Sequence, residues 1–140
     1  MLKEKATLEQ LNGWTKNTIM EVLHIEFTEI GDDYLCAKMP VSHLTHQPMG
    51  LLHGGASAVL AETLGSSGSA ALTDLTKFNV TGIEINANHI KGKREGTVIG
   101  KATLIHHGRT THLWNIEIRD EEQKLICVSR LTVLIVPKKA

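Results

Sequence analysis

The chain has 140 residues, 41% of them hydrophobic, and its 15 Lys and Arg residues balance its 15 Asp and Glu residues. This length and apolar content predict a single domain over 1–140 that buries a core of its own. Because the net charge is zero, no overall field would hold nucleic acid or a membrane surface, so neither partner is expected. The first ten residues contain acidic side chains and no apolar core, unlike a secretory signal peptide, which favours a cytoplasmic protein.

The N-terminal third predicts one short helix, two strands and a loop. Thr7 precedes an apolar-periodic run, which indicates a short amphipathic helix that ends near residues 12–13. Apolar segments at 25–30 and 34–39 predict two strands joined by the turn signal Gly-Asp-Asp. A loop over 40–52 follows, and it carries several polar side chains.

The segment 54–72 predicts the only long helix of the chain, because small and apolar residues run through it without a turn signal. Gly65 and Gly68 each cost about 1 kcal/mol inside a helix, which indicates that the helix packs closely against a sheet. The hydroxyls of Ser66 and Ser69 are interpreted as ordinary helix-surface groups unless a site claims them.

The C-terminal half predicts four strands, since β-branched residues dominate four stretches that are separated by turn signals. These stretches are 80–90, 97–106, 110–119 and 125–136. Together with the first two strands they predict an α+β fold of one long helix and about six antiparallel strands.

Glu62 is the only formally charged side chain between Lys38 and Asp74. An ionised carboxylate is costly to bury in an apolar helix unless it finds partners or takes up a proton. A turn of about 100° per residue places Glu62 and Ser66 each within about 20° of Gly55, so the three residues follow one line along the helix. We therefore interpret Glu62 as the centre of a chemical site.

The start of this helix suggests a second part of the site. Its first N–H groups lack intrahelical partners and lie at the positive end of the helix dipole. In Gly54-Gly55 these groups could receive negative charge that develops on an acyl oxygen, and glycine lets a substrate approach closely. His53 and Gln47 could supply two more polar contacts, although a lone histidine is more often a capping or core residue.

The segment 47–66 resembles the motif of the hotdog-fold acyl-CoA thioesterases; it reads Gln-Pro-Met-Gly-Leu-Leu-His-Gly-Gly-Ala-Ser-Ala-Val-Leu-Ala-Glu-Thr-Leu-Gly-Ser. Within this PaaI-like superfamily, the likeness is to the 1,4-dihydroxy-2-naphthoyl-CoA hydrolases and the enterobactin proofreading thioesterases. It extends over about 14–134 and includes 82–89 and 127–132. The resemblance implies a hotdog fold, in which an antiparallel sheet wraps a central helix, and hydrolysis of an acyl thioester to free acid and thiol.

The resemblance also implies roles for the catalytic residues. The Gly55 N–H and the Gln47 side chain would polarise the thioester carbonyl, and His53 would position the site. Glu62 would act as nucleophile or general base, with Ser66 orienting a water molecule. No cofactor and no metal are required, because a thioester carbonyl is already activated. The expected substrate is an aromatic acyl-CoA, or an acyl group on a carrier protein.

On the coenzyme side, the resemblance implies a contact from His89, and the same segment contributes Gly82 and Asn88. The coenzyme phosphates need cationic partners, which Arg94 and Arg109, in or near two turns, could supply. Such basic turns are usually just solvated.

Two alternatives belong to other classes. A non-catalytic acyl-CoA-binding module would have the same fold, but it would gain nothing from a carboxylate beside the scissile carbonyl. A metal-dependent hydrolase would need a ligand cluster, which His43, His46 and His53 imitate without a recognised zinc-site spacing.

Helix length predicts the oligomeric state. Gly55 and Glu62 are seven residues apart, so their backbones are separated by roughly 10 Å along the axis. That separation is too long for both groups to meet one carbonyl at near-attack distances of about 3 Å. An antiparallel helix of a second copy would bring its own Glu62 to the Gly55 end. We therefore expect a homodimer, with a dimer of dimers as a further possibility, and sites shared between chains.

Overall fold

The N-terminal segment forms short helices against the sheet in the structure, a computed structural model that describes residues 1–139. Helix α1 (Leu8–Gly13) begins with a capping box, in which Thr7 and Gln10 each accept the other's backbone N–H. This confirms the predicted helix. A 3₁₀ turn (Leu2–Glu4) and a four-residue helix α2 (Ile19–Val22) were not predicted, because such short elements show no periodic pattern.

Six antiparallel strands form one sheet in the order β1-β2-β4-β5-β6-β3, which confirms the predicted α+β fold. Their bounds are β1 Glu26–Ile30, β2 Tyr34–Val41, β3 Phe78–His89, β4 Gly96–His107, β5 Thr111–Asp120 and β6 Leu125–Pro137. The loop begins at Ser42, two residues later than predicted, because Pro40 and Val41 belong to β2 and pair with β4. Strand β3 is an edge strand and is exposed along most of its length.

Helix α3 (Gly54–Leu72) has the predicted bounds and packs on the sheet through its small residues. A Cβ on Gly65 would lie 2.6 Å from Leu131 Cδ2, and one on Gly68 would lie 2.5 Å from Trp114 Cη2. The two glycines therefore let the helix approach the fully buried Trp114, as predicted. None of the helices within residues 1–139 has the length and apolar character needed to cross a membrane.

Ser69 is buried in this contact, so its interpretation as a surface hydroxyl was wrong. Its Oγ accepts the indole N–H of Trp114 at 2.8 Å and lies 3.0 Å from Nδ1 of His112. Because the hydroxyl has no other acceptor within the described part of the chain, it donates to His112. Burial, together with the nearby His107 and His106, lowers the pKa of His112 to about 4.

Candidate active site

The first turn of α3 is capped by His53, whose Nδ1 accepts the Gly55 N–H at 2.7 Å. The capping interpretation of this histidine is therefore confirmed. The Gly55 N–H, which we expected to face a substrate carbonyl, is occupied within the chain. By contrast, the Gly54 N–H has no acceptor among residues 1–139. Gly54 is thus the residue of the first turn whose backbone N–H is available to bind a ligand.

Three expected site residues meet in one cleft of about 290 Å³ at this helix end. Gln47, Gly54 and His89 all line it, together with Lys91 and Gly92 of the loop between β3 and β4. A Cβ on Gly54 would lie 2.5 Å from His89 Nε2. Only glycine at position 54 therefore leaves room for the His89 ring at the helix start.

The Gln47 side chain is oriented by its own loop, because its Oε1 accepts the N–H of Met49. Since the amide oxygen is engaged in this contact, the amide NH₂ group remains for another partner. Gln47 therefore brings hydrogen-bond donors to the cleft, as a group that polarises a carbonyl must.

Glu62 lies in a different place and is exposed in the single chain, where we expected a buried carboxylate. It lines a second cleft of about 350 Å³ with Ser66 and the apolar side chains of Ile19, Met20 and Val59. The expectation failed because it considered only the residues of the helix, whereas burial depends on what covers that face. The sequence analysis did not identify Ile19 and Met20 as site residues, because they lie on the short helix α2, which it did not predict. The one local signal for α2 is Thr18, a residue type that often caps the start of a helix.

Gly82 lies beside Glu62. It does not line the first cleft with His89, although the resemblance grouped both residues as coenzyme contacts. A Cβ on Gly82 would lie 2.6 Å from Glu62 Oε1. The pairing of β3 with β6 is irregular between Gly82 and Glu84, which marks a bulge at this point. The absence of a side chain at Gly82 on β3 thus leaves the space that the Glu62 carboxylate occupies.

The two clefts share no lining residue, so one chain keeps the two halves of the expected site apart. The helix start and Gln47 belong to the first half, whereas Glu62 and Ser66 belong to the second. The seven-residue spacing, roughly 10 Å along α3, separates them.

The expected coenzyme contacts are only partly brought together. Asn88 precedes His89 on β3, so its side chain points to the opposite face of the strand. Arg109 follows β4, whose 12 residues span roughly 40 Å, so it lies at the opposite end of the sheet from Arg94. Arg94 belongs to the same loop as Lys91 and Gly92 but does not line the first cleft, and its Nη1 donates to the Met49 carbonyl at 3.4 Å.

No group of three or more His, Cys, Asp or Glu side chains within residues 1–139 is arranged to hold a metal ion. His46 Nε2 contacts the Arg94 carbonyl oxygen, and His53 Nδ1 accepts the Gly55 N–H. These histidines therefore do not form the ligand cluster that their spacing imitated.

Comparison with known proteins places this geometry in a family. The thioesterase superfamily matches residues 49–127. The 1,4-dihydroxy-2-naphthoyl-CoA hydrolase of Escherichia coli K12 is 49% identical over 133 residues, which cover 95% of this chain and 97% of that protein. The proofreading thioesterase EntH of Cronobacter turicensis is 47% identical over 133 residues, which cover 95% of this chain and 96% of that protein.

Solved structures agree with the sequence comparison. A mutant thioesterase from Pseudomonas aeruginosa superposes with a TM-score of 0.93 at 48% identity, covering 95% of this chain and 96% of that chain. A thioesterase from Haemophilus influenzae superposes with a TM-score of 0.91 at 46% identity, covering 98% of this chain and 96% of that chain. The predicted hotdog fold is confirmed by these neighbours.

Proposed function

The chain belongs to the thioesterase superfamily and is a thioester hydrolase, and on that premise we propose that it cleaves an aromatic acyl thioester of coenzyme A or of a carrier protein. The observation that carries this proposal is the pair of half-sites, with backbone and amide donors in one cleft and a carboxylate in an apolar cleft. The similarity to a naphthoyl-CoA hydrolase supports an aromatic acyl group.

In this proposal, the Gly54 N–H and the Gln47 amide NH₂ hold the thioester oxygen. Both are donors in the cleft at the positive end of the α3 dipole, where negative charge on that oxygen is stabilised. Gly54 replaces Gly55 in this role, because the Gly55 N–H already donates to His53. His53 therefore acts by shaping the helix start.

Glu62 supplies the base or the nucleophile. As a base, it takes a proton from a water molecule that Ser66 orients, the water oxygen adds to the acyl carbon, and the proton passes to the departing thiolate. As a nucleophile, its oxygen adds to the acyl carbon and the thiolate leaves, and water then hydrolyses the resulting anhydride. Both routes give a free acid and a thiol, and both require the ionised carboxylate.

The coenzyme end of the substrate extends along the first cleft in this proposal. His89 and Lys91 line that cleft, so an imidazole and an ammonium group are available to pantetheine or phosphate groups. Arg94 follows in the same loop and adds a third cationic group for the phosphates. Asn88 and Arg109 could join this contact only from a second copy of the chain.

A second copy also completes the chemistry in this proposal. An antiparallel α3 from a partner would bring its Glu62 to the first cleft, and the exposed edge of β3 offers unpaired backbone groups to such a partner. We propose a homodimer with two equivalent shared sites, which itself pairs into a dimer of dimers.

Free-thiol detection with a panel of aromatic and aliphatic acyl-CoA thioesters tests the activity. We expect release to be fastest with aromatic acyl groups and to fall by about 100-fold or more in Glu62→Gln, with little change in substrate binding. Glu9→Gln is the matched control, since Glu9 is an exposed carboxylate on α1, away from both clefts and from β3.

Two outcomes would contradict the proposal. Saturable binding of acyl-CoA without release of thiol from any member of the panel would identify a binding module. Activity that disappears in chelator and returns with added metal would instead identify a metal-dependent hydrolase.

A further inference from the structure

His46 has no role in the site described above, yet its side chain makes a long-range bond across the fold. Its Nε2 lies 2.7 Å from the carbonyl oxygen of Arg94, 48 residues away in the chain. A carbonyl oxygen can only accept, so Nε2 carries the proton and donates.

The loop that carries Gln47 folds as a small hairpin. His46 and Leu52 form an isolated bridge, the Gln47 N–H donates to the Leu51 carbonyl at 2.8 Å, and the Gly50 N–H donates to the Gln47 carbonyl at 2.9 Å. Gly50 has a φ of 74°, the left-handed conformation that favours glycine. A lone two-stranded hairpin is marginally stable in water, so other contacts must hold its shape.

The loop between β3 and β4 supplies those contacts. The Leu52 N–H donates to the Lys93 carbonyl at 2.7 Å, and Arg94 Nη1 donates to the Met49 carbonyl at 3.4 Å. His46 donates to the Arg94 carbonyl from the other strand of the hairpin. Both strands and the tip of the hairpin are therefore attached to the same two residues, and His46 provides a short side-chain bond.

We infer that His46 is a positioning residue for thioester hydrolysis: by donating to the Arg94 carbonyl, it holds the hairpin so that the Gln47 amide faces the cleft. This inference rests on the proposed function, in which Gln47 polarises the thioester carbonyl. Gln47 directly follows His46, and its amide oxygen is held within the hairpin by the Met49 N–H. A shift of the hairpin therefore moves the amide donor.

The inference predicts a selective loss of turnover when the donor at position 46 is removed. A misplacement of about 1 Å at a reacting group can cost about 100-fold in rate. We expect kcat to fall about 10- to 100-fold in His46→Ala, while KM changes by less than about threefold. The thermal unfolding midpoint should stay the same, because half-buried His46 lies outside the core.

Two further variants separate the hydrogen bond from the bulk of the ring. His46→Gln retains an N–H donor and should recover most of the lost kcat, whereas His46→Leu fills the space without donating and should behave like His46→Ala. His43→Ala is the matched control, since His43 is an exposed histidine of the same loop that makes no side-chain hydrogen bond within the described residues. Full kcat in both His46→Ala and His46→Leu would overturn the inference.

A double-mutant cycle tests whether His46 acts through Gln47. In a Gln47→Ala chain, adding His46→Ala should cause no further loss, because the group it positions is already gone. Losses that multiply would overturn the inference. An impaired Gln47→Ala beside a fully active His46→Ala rejects the inference alone, whereas a fully active Gln47→Ala rejects the proposed role of Gln47 and the inference with it.

Discussion

At the residue scale, Gly82 is the position where the smallest change should disturb the proposed chemistry. A Cβ there would lie 2.6 Å from Glu62 Oε1, the mobile end of that side chain. We expect Gly82→Ala to displace the carboxylate and lower kcat about 10- to 100-fold while the chain still folds. Steady-state kinetics and urea unfolding on the same preparation measure both effects.

Gly13→Ala is the matched control for this prediction, because a Cβ on Gly13 would meet no atom within 4 Å. It should leave kcat unchanged. If Gly82→Ala retained the full kcat, the position of the Glu62 carboxylate beside β3 would not matter to the reaction.

Single residues also mark the limit of what the sequence could predict. The isolation of Glu62 among uncharged residues identified it as a candidate, but its exposure depends on tertiary packing. The choice between the Gly54 and Gly55 N–H groups depends on the orientation of the His53 ring, which no spacing encodes. No local pattern could indicate that Gly82 contacts Glu62, because the two residues meet in space but are 20 positions apart in the chain.

At the scale of elements, helix α3 is joined to strand β5 by the buried bond between Ser69 and His112. The pKa of His112 is lowered from 6.5 to about 4, mainly by burial and then by His107 and His106. In the unfolded chain His112 therefore becomes protonated below about pH 6.5, whereas in the folded chain it stays neutral until about pH 4. Stability is lost as the pH falls through this window, by about 3 kcal/mol at most.

Urea unfolding at a series of pH values between about 7.5 and 4.5 measures this loss. His112→Gln should flatten the curve over this window, whereas His43→Gln, which alters an exposed histidine, should keep it. The bond to Lys93 lowers the pKa of Glu121 to about 2, so this carboxylate also costs stability below about pH 5.5, but it does so equally in all three chains and leaves the comparison between them intact. An unchanged pH dependence in His112→Gln would contradict the assignment.

The elements themselves were largely predictable. Helix α3 has its predicted bounds, because a long uncharged run of small residues follows a Gly-Gly start. The C-terminal strands were located within a few residues for a similar reason, since β-branched stretches alternate with turns. Helix α2 was missed because four residues cannot display a helical period, and its apolar side chains were missed with it.

At the scale of the whole molecule, the separation of the two clefts predicts a site that two chains share. Glu62→Ala and Gln47→Ala chains should each be nearly inactive alone. If they are refolded together, a hybrid dimer should contain one intact site and one doubly damaged site. With random mixing half the dimers are hybrids, so activity should return to about a quarter of the unmutated level.

Verified hybrid dimers with no recovered activity would show instead that each site lies within one chain. The sequence led to the shared-site prediction because the rise of a helix sets the distance between positions 55 and 62. The separation of Arg109 from Arg94 could have been predicted in the same way, since the predicted strand 97–106 lies between them, but the two arginines were grouped only by their charge and their turns.

The buried bond between Trp114 and Ser69 gives the protein an internal optical reporter. The chain has two tryptophans: Trp14 is 41% exposed, whereas Trp114 is fully buried and donates its indole N–H to Ser69. Fluorescence of the exposed indole is open to an aqueous quencher, and that of the buried indole is shielded by the core. The shielded signal arises one hydrogen bond away from His112, so its emission reports directly on the contact between α3 and β5.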